Sequence, residues 1–356
     1  YALINNDIID DWKVSYPEYL SKSRLVGDYS YFYTFNFDPT YDEALEPENW
    51  RKAVNNTNFR LSLTSAFDRL YALYATEPDD PQSIMQTSIT PRGFVQVEGE
   101  DFADMPAFEG VEEVLYDKTD EQGSKDKALA YKDKAIEELS VQGVSFPVKV
   151  VLSYRIDMKN WERECILVKQ QLEGLLGTDY IQVELNGAAQ QDFLANVRKG
   201  GKYSMMRVNW GADYLDPETF TDPFEAKMNA DVYTGNSYNK MDVSLNGEGY
   251  PETKEIVQSY YDMVEKGKEE TLDVKARYEL FAQAEAILIE KGIVIPFYIT
   301  PPEYQASKLN PFEGQFAPFG ISTLRMKGKH VQDHFVTPEE YEQYKADWEA
   351  GKSSNK

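Results

Sequence analysis

RVNWGADYLDPETFTDPF, residues 207–224, places an arginine, a tryptophan, a tyrosine and two aspartates within ten positions. Three readings compete for it: a carboxylate pair for catalysis, a ligand-facing strand edge with a charge beside it, and a solvated loop that happens to contain a buried Trp. Residues 203–210 alternate as a strand does, so that Arg207 and Asn209 share one face while Met206, Val208 and Trp210 share the other. Gly211 follows, and without a Cβ it lets another backbone come close. A strand end of this kind can add an extended peptide through main-chain hydrogen bonds, which are blind to side-chain sequence. Asp213 then offers a counter-ion for a cation such as an α-ammonium, through a charge-assisted bond of roughly 1.5–3 kcal/mol when partly desolvated. Arg207 offers the opposite charge for a carboxylate. In the plainer alternative, Trp210 and Tyr214 are core and rim aromatics and Asp213 caps a turn. By residue type alone that alternative is the stronger. Asp213 and Asp216 invite a glycosidase-like acid/base reading, but three residues apart on a loop their separation is undetermined, and Asp216-Pro217 is a common turn opening.

Outward from this run, the chain alternates strands and amphipathic helices. Residues 29–37, YSYFYTFNF, read as a strand. Residues 47–74 switch to a helical period, with Asn58 as a candidate cap and Phe59, Leu63, Ala66, Phe67 and Leu70 on one face. Residues 76–110 hold no sustained period. A helix over 131–143 closed by Gly143, a strand over 148–155, a helix over 160–177 and a strand over 180–185 form a parallel crossover unit. In its helix, Trp161, Cys165, Val168, Leu172 and Leu175 or Leu176 make one stripe. A short helix at 190–200, helices near 252–266 and 272–291, and the apolar strand GIVIPFYIT at 292–300 follow. The chain closes with a helix over 337–350 and a tail, GKSSNK, expected to be disordered.

Composition narrows the function. The 356 residues carry 61 Asp+Glu against 37 Lys+Arg, a net charge of −24. That argues against nucleic acid, whose phosphates require clustered Lys and Arg. No glycine pattern of a phosphate cradle and no nucleophile elbow is present, so no cofactor is expected. Cys165 is the only cysteine and sits in an apolar helical pattern, which suits a core thiol. His330 and His334, spaced i, i+4, lack an evident third ligand for a metal. No run of about 18 apolar residues suggests a bilayer span.

Several stretches, in order, resemble the peptide-binding proteins of ABC importers, the family-5 extracellular solute-binding proteins. NWGADYLDPETF is similar to their W-x-A-D-Y-x-D-P segment, and YFYTFNF (31–37) to the aromatic-Asn strand leading into the C-terminal lobe. NTNFRLSLTSAFDR (56–69) resembles their N-x-x-[VF]-R-x-A helix, with Ser62 in place of the usual Ala. RYELFAQAEAILIEKGIVIPFY matches the element ending in P-x-I-P-L-Y, with Ile293 where Pro is usual. PENWRKAVNNTNFR is nearest to Gram-positive lipoprotein members. The resemblance implies an α/β fold, a periplasmic-binding-protein-like C-terminal lobe (39–305) flanked by a hinge and N-terminal-lobe remnant (1–38) and by a return segment with a C-terminal helix (306–356). It implies an extracytoplasmic receptor, on a cell surface or in a periplasm, that captures oligopeptides by hinge closure and delivers them to permease subunits without catalysis. Its contact with the membrane is expected only through a lipid anchor ahead of Tyr1. Asp213 inherits the role of ammonium partner and Arg207 that of carboxylate partner. Trp210 and Gly211 supply backbone partners, and Asn209 and Tyr214 complete the expected ligand-binding set. An oligosaccharide receptor of the same fold, with the 25 Tyr and five Trp stacking on sugars, and a carboxylate-pair glycoside hydrolase are the rival functions.

Overall fold

The computed structural model describes residues 1–4, 8–24, 29–236, 238–314 and 326–354. The chain divides into two compact units, one of residues 29–299 and one of residues 1–28 with 300–356. The first strand of the larger unit, β1 (Ser30–Phe35), pairs on both sides, and Phe32, Tyr33 and Phe35 are fully buried. That pairing ties residues 29–38 to the larger unit. The boundary therefore falls ahead of the strand, whereas the expected division at 38/39 falls behind it.

The helical segment after β1 is three helices: α1 (Pro47–Val54), α2 (Thr57–Ala66) and α3 (Arg69–Leu73). Asn56 caps α2, accepting from Phe59 N at 2.8 Å, because an N-cap oxygen must reach the amide three residues on. The expected cap, Asn58, lies two residues too far in and donates instead to Glu138. Asp68 caps α3 from the bend that separates it from α2. The irregular stretch after residue 76 holds short single turns and one tight hairpin, in which Glu98 and Gly99 both take positive φ (55° and 83°), as a two-residue primed turn requires.

Next come α4 (Glu121–Val141), β2 (Val148–Arg155), α5 (Lys159–Leu176) and β3 (Ile181–Ala188). Helix α4 starts well before the expected residue 131, because Asp120 caps it through Gly123 N. Strands β2 and β3 are parallel over their full length, as the crossover pattern predicts. The α5 stripe of Trp161, Cys165, Val168, Leu172 and Leu176 is buried, and the helix stops at Gly177, whose φ of 87° an L side chain rarely adopts. Two short helical turns (190–192 and 193–199) lead to β4 (Met205–Trp210). Then α6 (Pro251–Glu269), α7 (Val274–Glu290) and β5 (Val294–Ile299) complete a five-stranded sheet of order β5-β1-β4-β2-β3.

The smaller unit is built on three short antiparallel strands, Ala2–Leu3, Tyr304–Ala306 and Ser21–Lys22, over a core of Ile4, Ile9, Leu20 and Ala306. Its closing helix, Pro338–Ser354, is started by a capping box between Thr337 and Glu340. It runs on through Ser354, into the tail expected to be disordered; residues 355–356 lie outside the described residues. His330 and His334 are not helical, so their spacing does not bring them together. His330 meets Glu313, and His334 lies between Asp333 and Glu340. Among the described residues no cluster of His, Cys, Asp or Glu is suited to a metal, and no helix is long and apolar enough to cross a membrane.

Candidate functional site

Strand β2 leads through α5 to β3 on one side, while β4 lies on its other side. The carboxyl ends of β2 and β4 thus flank the point where the connections diverge, the usual place for a ligand in an open α/β sheet. The two strands meet at a single pair, Leu152 with Met205. Beyond it β4 keeps its ladder with β1, Met206 opposite Thr34 through Trp210 opposite Ser30, but has no further pairing with β2. One edge of β4 is therefore laddered, and beyond Met205 the other no longer pairs with β2. Asn209, Trp210 and Gly211, at its end, are half-buried.

The chain leaving β4 is held from several sides. Thr219 Oγ1 accepts from Asp213 N at 3.1 Å, and Asp216 caps the turn at Pro217–Phe220 by accepting from Glu218 N at 3.0 Å. Arg277 of α7 grips Asp216 through Nε and Nη2, both at 3.2 Å, and also reaches Glu218 and the Gly267 carbonyl. Tyr260 and Tyr261 of α6 donate to the carbonyls of Thr221 and Phe224. Phe220 packs edge-on against Phe94, and Phe224 packs on Phe32.

On this anchored loop Asp213 is exposed, and among the described residues its carboxylate has no hydrogen-bond or ion-pair partner. Its charge is nonetheless felt nearby. Burial, then Glu225 and Asp213, push the Asp222 carboxyl up to about 6. Tyr214 is also partly exposed; burial and the surrounding carboxylates raise its pKa. Trp210 meets Tyr238 edge-on at 5.9 Å, and Tyr238 Oη donates to the Asn209 carbonyl at 2.6 Å, so one main-chain group at the strand end is already taken. The indole nitrogen of Trp210 is buried and has no hydrogen-bond partner among the described residues.

Arg207 stands apart from this group. Its side chain is buried and paired with Glu164 of α5, itself 0% exposed. Tyr33 Oη donates to the other Glu164 oxygen at 2.5 Å. The guanidinium lies 4.4 Å from the Trp161 ring and within cation–π range of Tyr31 and Tyr298, at 5.4 and 5.5 Å. Burial works against the charged form of both partners; for Arg207, Glu164 and the surrounding Tyr298, Tyr33 and Tyr31 together more than offset it and raise its pKa. The expected carboxylate partner of a ligand therefore already holds a carboxylate of its own chain. Two-fold alternation had placed Arg207 on the face opposite Trp210, and it is there, on the side of Tyr33 and α5. Nothing in the 207–224 run pointed to Glu164. The available signal was a carboxylate three residues after Trp161 inside an otherwise apolar stripe.

Chemically the arrangement offers an anion with no partner among the described residues, a strand edge that β2 leaves beyond Met205, and an anchored loop. Asp216 is bound on both oxygens by Arg277, so it does not share an open space with Asp213 as an acid/base pair must.

The model of bacterial extracellular solute-binding proteins, family 5, matches residues 3–231. The oligopeptide-binding protein AliB of Streptococcus pneumoniae is 26% identical over 342 residues, covering 90% of this chain and 51% of that protein. AmiA of the same species, also an oligopeptide-binding protein, is 28% identical over 318 residues, covering 84% and 47%. This chain spans about half the length of these relatives. The fold is similar to that of Listeria monocytogenes OppA bound to peptide, with a TM-score of 0.62 at 19% identity over 93% of this chain and 53% of that one.

Proposed function

This chain belongs to the bacterial extracellular solute-binding proteins of family 5, and from that premise we propose that it is part of an extracytoplasmic receptor that captures oligopeptides for an ABC importer. The peptide adds to the free edge of β4, and its α-ammonium meets Asp213. One observation carries this reading: an exposed carboxylate, unpartnered among the described residues, on a loop fixed by Arg277, Tyr260 and Tyr261, next to the strand edge that β2 leaves beyond Met205. A fixed anion does not have to be ordered when the ligand arrives, so more of the charge-assisted bond appears as affinity. Main-chain pairing along β4 tolerates any sequence, and water can bridge the remaining gaps at little cost. The domain reading follows: the unit of residues 29–299 is the lobe that presents the edge, and delivery to permease subunits is the role of the whole protein. Relatives named for oligopeptide binding support the ligand class.

The reading favours a receptor over a carboxylate-pair hydrolase because Asp216 is neutralised by Arg277. It favours a peptide over a sugar because a sugar does not require an ammonium counter-ion. In the full-length protein, Asp213→Ala is expected to weaken binding of peptides with a free N-terminus roughly tenfold or more. Titration calorimetry with matched free and N-acetylated peptides checks this. Equal affinity of the parent protein for both forms would remove Asp213 from the site.

A further inference from the structure

Arg207 is the only charged residue of β4, and its environment sets what it can recognise. Its guanidinium is closed in by Trp161, Tyr31 and Tyr298 and paired with Glu164. Both oxygens of that carboxylate are committed, one to Arg207 and one to Tyr33. The pair is neutral as a unit, so an incoming carboxylate feels little net attraction. If it took Arg207 for itself, Glu164 would be left as a buried anion beside Cys165 and Val168, the costly outcome of breaking a buried pair.

The geometry points to Glu164 as a specificity-determining residue: by occupying Arg207 it withdraws this arginine from ligand recognition, so that a peptide's C-terminal carboxylate is not read at β4 and peptides continuing past it are accepted. This rests on the peptide-receptor reading and narrows its substrate class to peptides whose C-terminus is held elsewhere or not at all. The aromatic walls serve the same end, because they fix the guanidinium in place and shield it from water.

The test uses the full-length protein and a library of tri- to octapeptides, prepared once as free acids and once as C-terminal amides, with retained peptides quantified by mass spectrometry. The parent protein is expected to retain acids and amides equally, within about twofold, at every length. Glu164→Gln is expected to shift retention toward short free acids by roughly tenfold, the size of one charge-assisted contact. A parent protein that already prefers free acids tenfold overturns the proposal without any variant being needed. A well-folded Glu164→Gln protein that still ignores the terminus overturns it too. Loss of peptide retention in Asp213→Ala, measured alongside, shows that the peptide reading stands whichever way the acid-to-amide ratio falls. If no peptide is retained by the parent protein, both readings fail together.

Discussion

Arg207 and Asp213 lie six positions apart on one continuous segment, yet their charges are used in opposite ways. Arg207 is enclosed by rings and satisfied by Glu164. Asp213 stands exposed on a loop held through Thr219, Asp216 and Arg277. The difference comes from what packs on each. Helix α5 brings Glu164 to β4, while α6 and α7 hold the loop through Tyr260, Tyr261 and Arg277 and leave Asp213 exposed. A charged residue in a motif is therefore a candidate for binding only after its own chain has had first claim on it.

The comparison can be broken most forcefully at the buried pair. Arg207→Met alone, or Glu164→Leu alone, strands the other charge and is expected to cost about 3–5 kcal/mol in urea unfolding, whereas the double variant recovers most of that loss. Equal costs for single and double variants would mean the two residues are not coupled. Glu285 adds a third kind of carboxylate, buried like Glu164 but held only by neutral donors, the amides of Ile89 and Thr90 and the Thr90 hydroxyl. Burial raises its pKa to about 7, against those hydrogen bonds. The folded state thus holds a proton that the unfolded state releases near pH 4.5. Stability contributed by this group is fully present below that pH and is lost as pH rises through about 7, by about 3 kcal/mol in all. Glu285→Gln is expected to flatten the pH dependence of unfolding between pH 5 and 8; an unchanged slope would assign it elsewhere. The smallest effects sharpen the contrast within the loop. Arg277→Met is expected to cost about 1–3 kcal/mol, because it leaves Asp216 and Glu218 without their partner. Asp213→Ala is expected to stay within about 0.5 kcal/mol of the parent in the same unfolding assay, as suits an exposed residue with nothing attached.

Much of this was legible beforehand. The crossover unit from 148 to 188, the buried α5 stripe and the alternation of β4 follow from local periods of two and 3.6, which any chain of this pattern must bury in the same way. The cap at Asn56 lies two residues before the position the period suggests, because Asn55, Asn56 and Asn58 stand close together and only backbone geometry selects one. The break of 47–74 into three helices was likewise hidden, since the apolar period continues across the bends at Asn55 and Phe67.

The sequence by itself determined the elements, their faces and the presence of two opposite charges near the end of β4, because those depend on neighbours within a few residues. Only the tertiary structure decided which charge is left for a ligand. Glu164 is 43 positions from Arg207, and Arg277 is 61 from Asp216. Pairing across such distances is chosen by how helices pack on the sheet, and no local pattern encodes it.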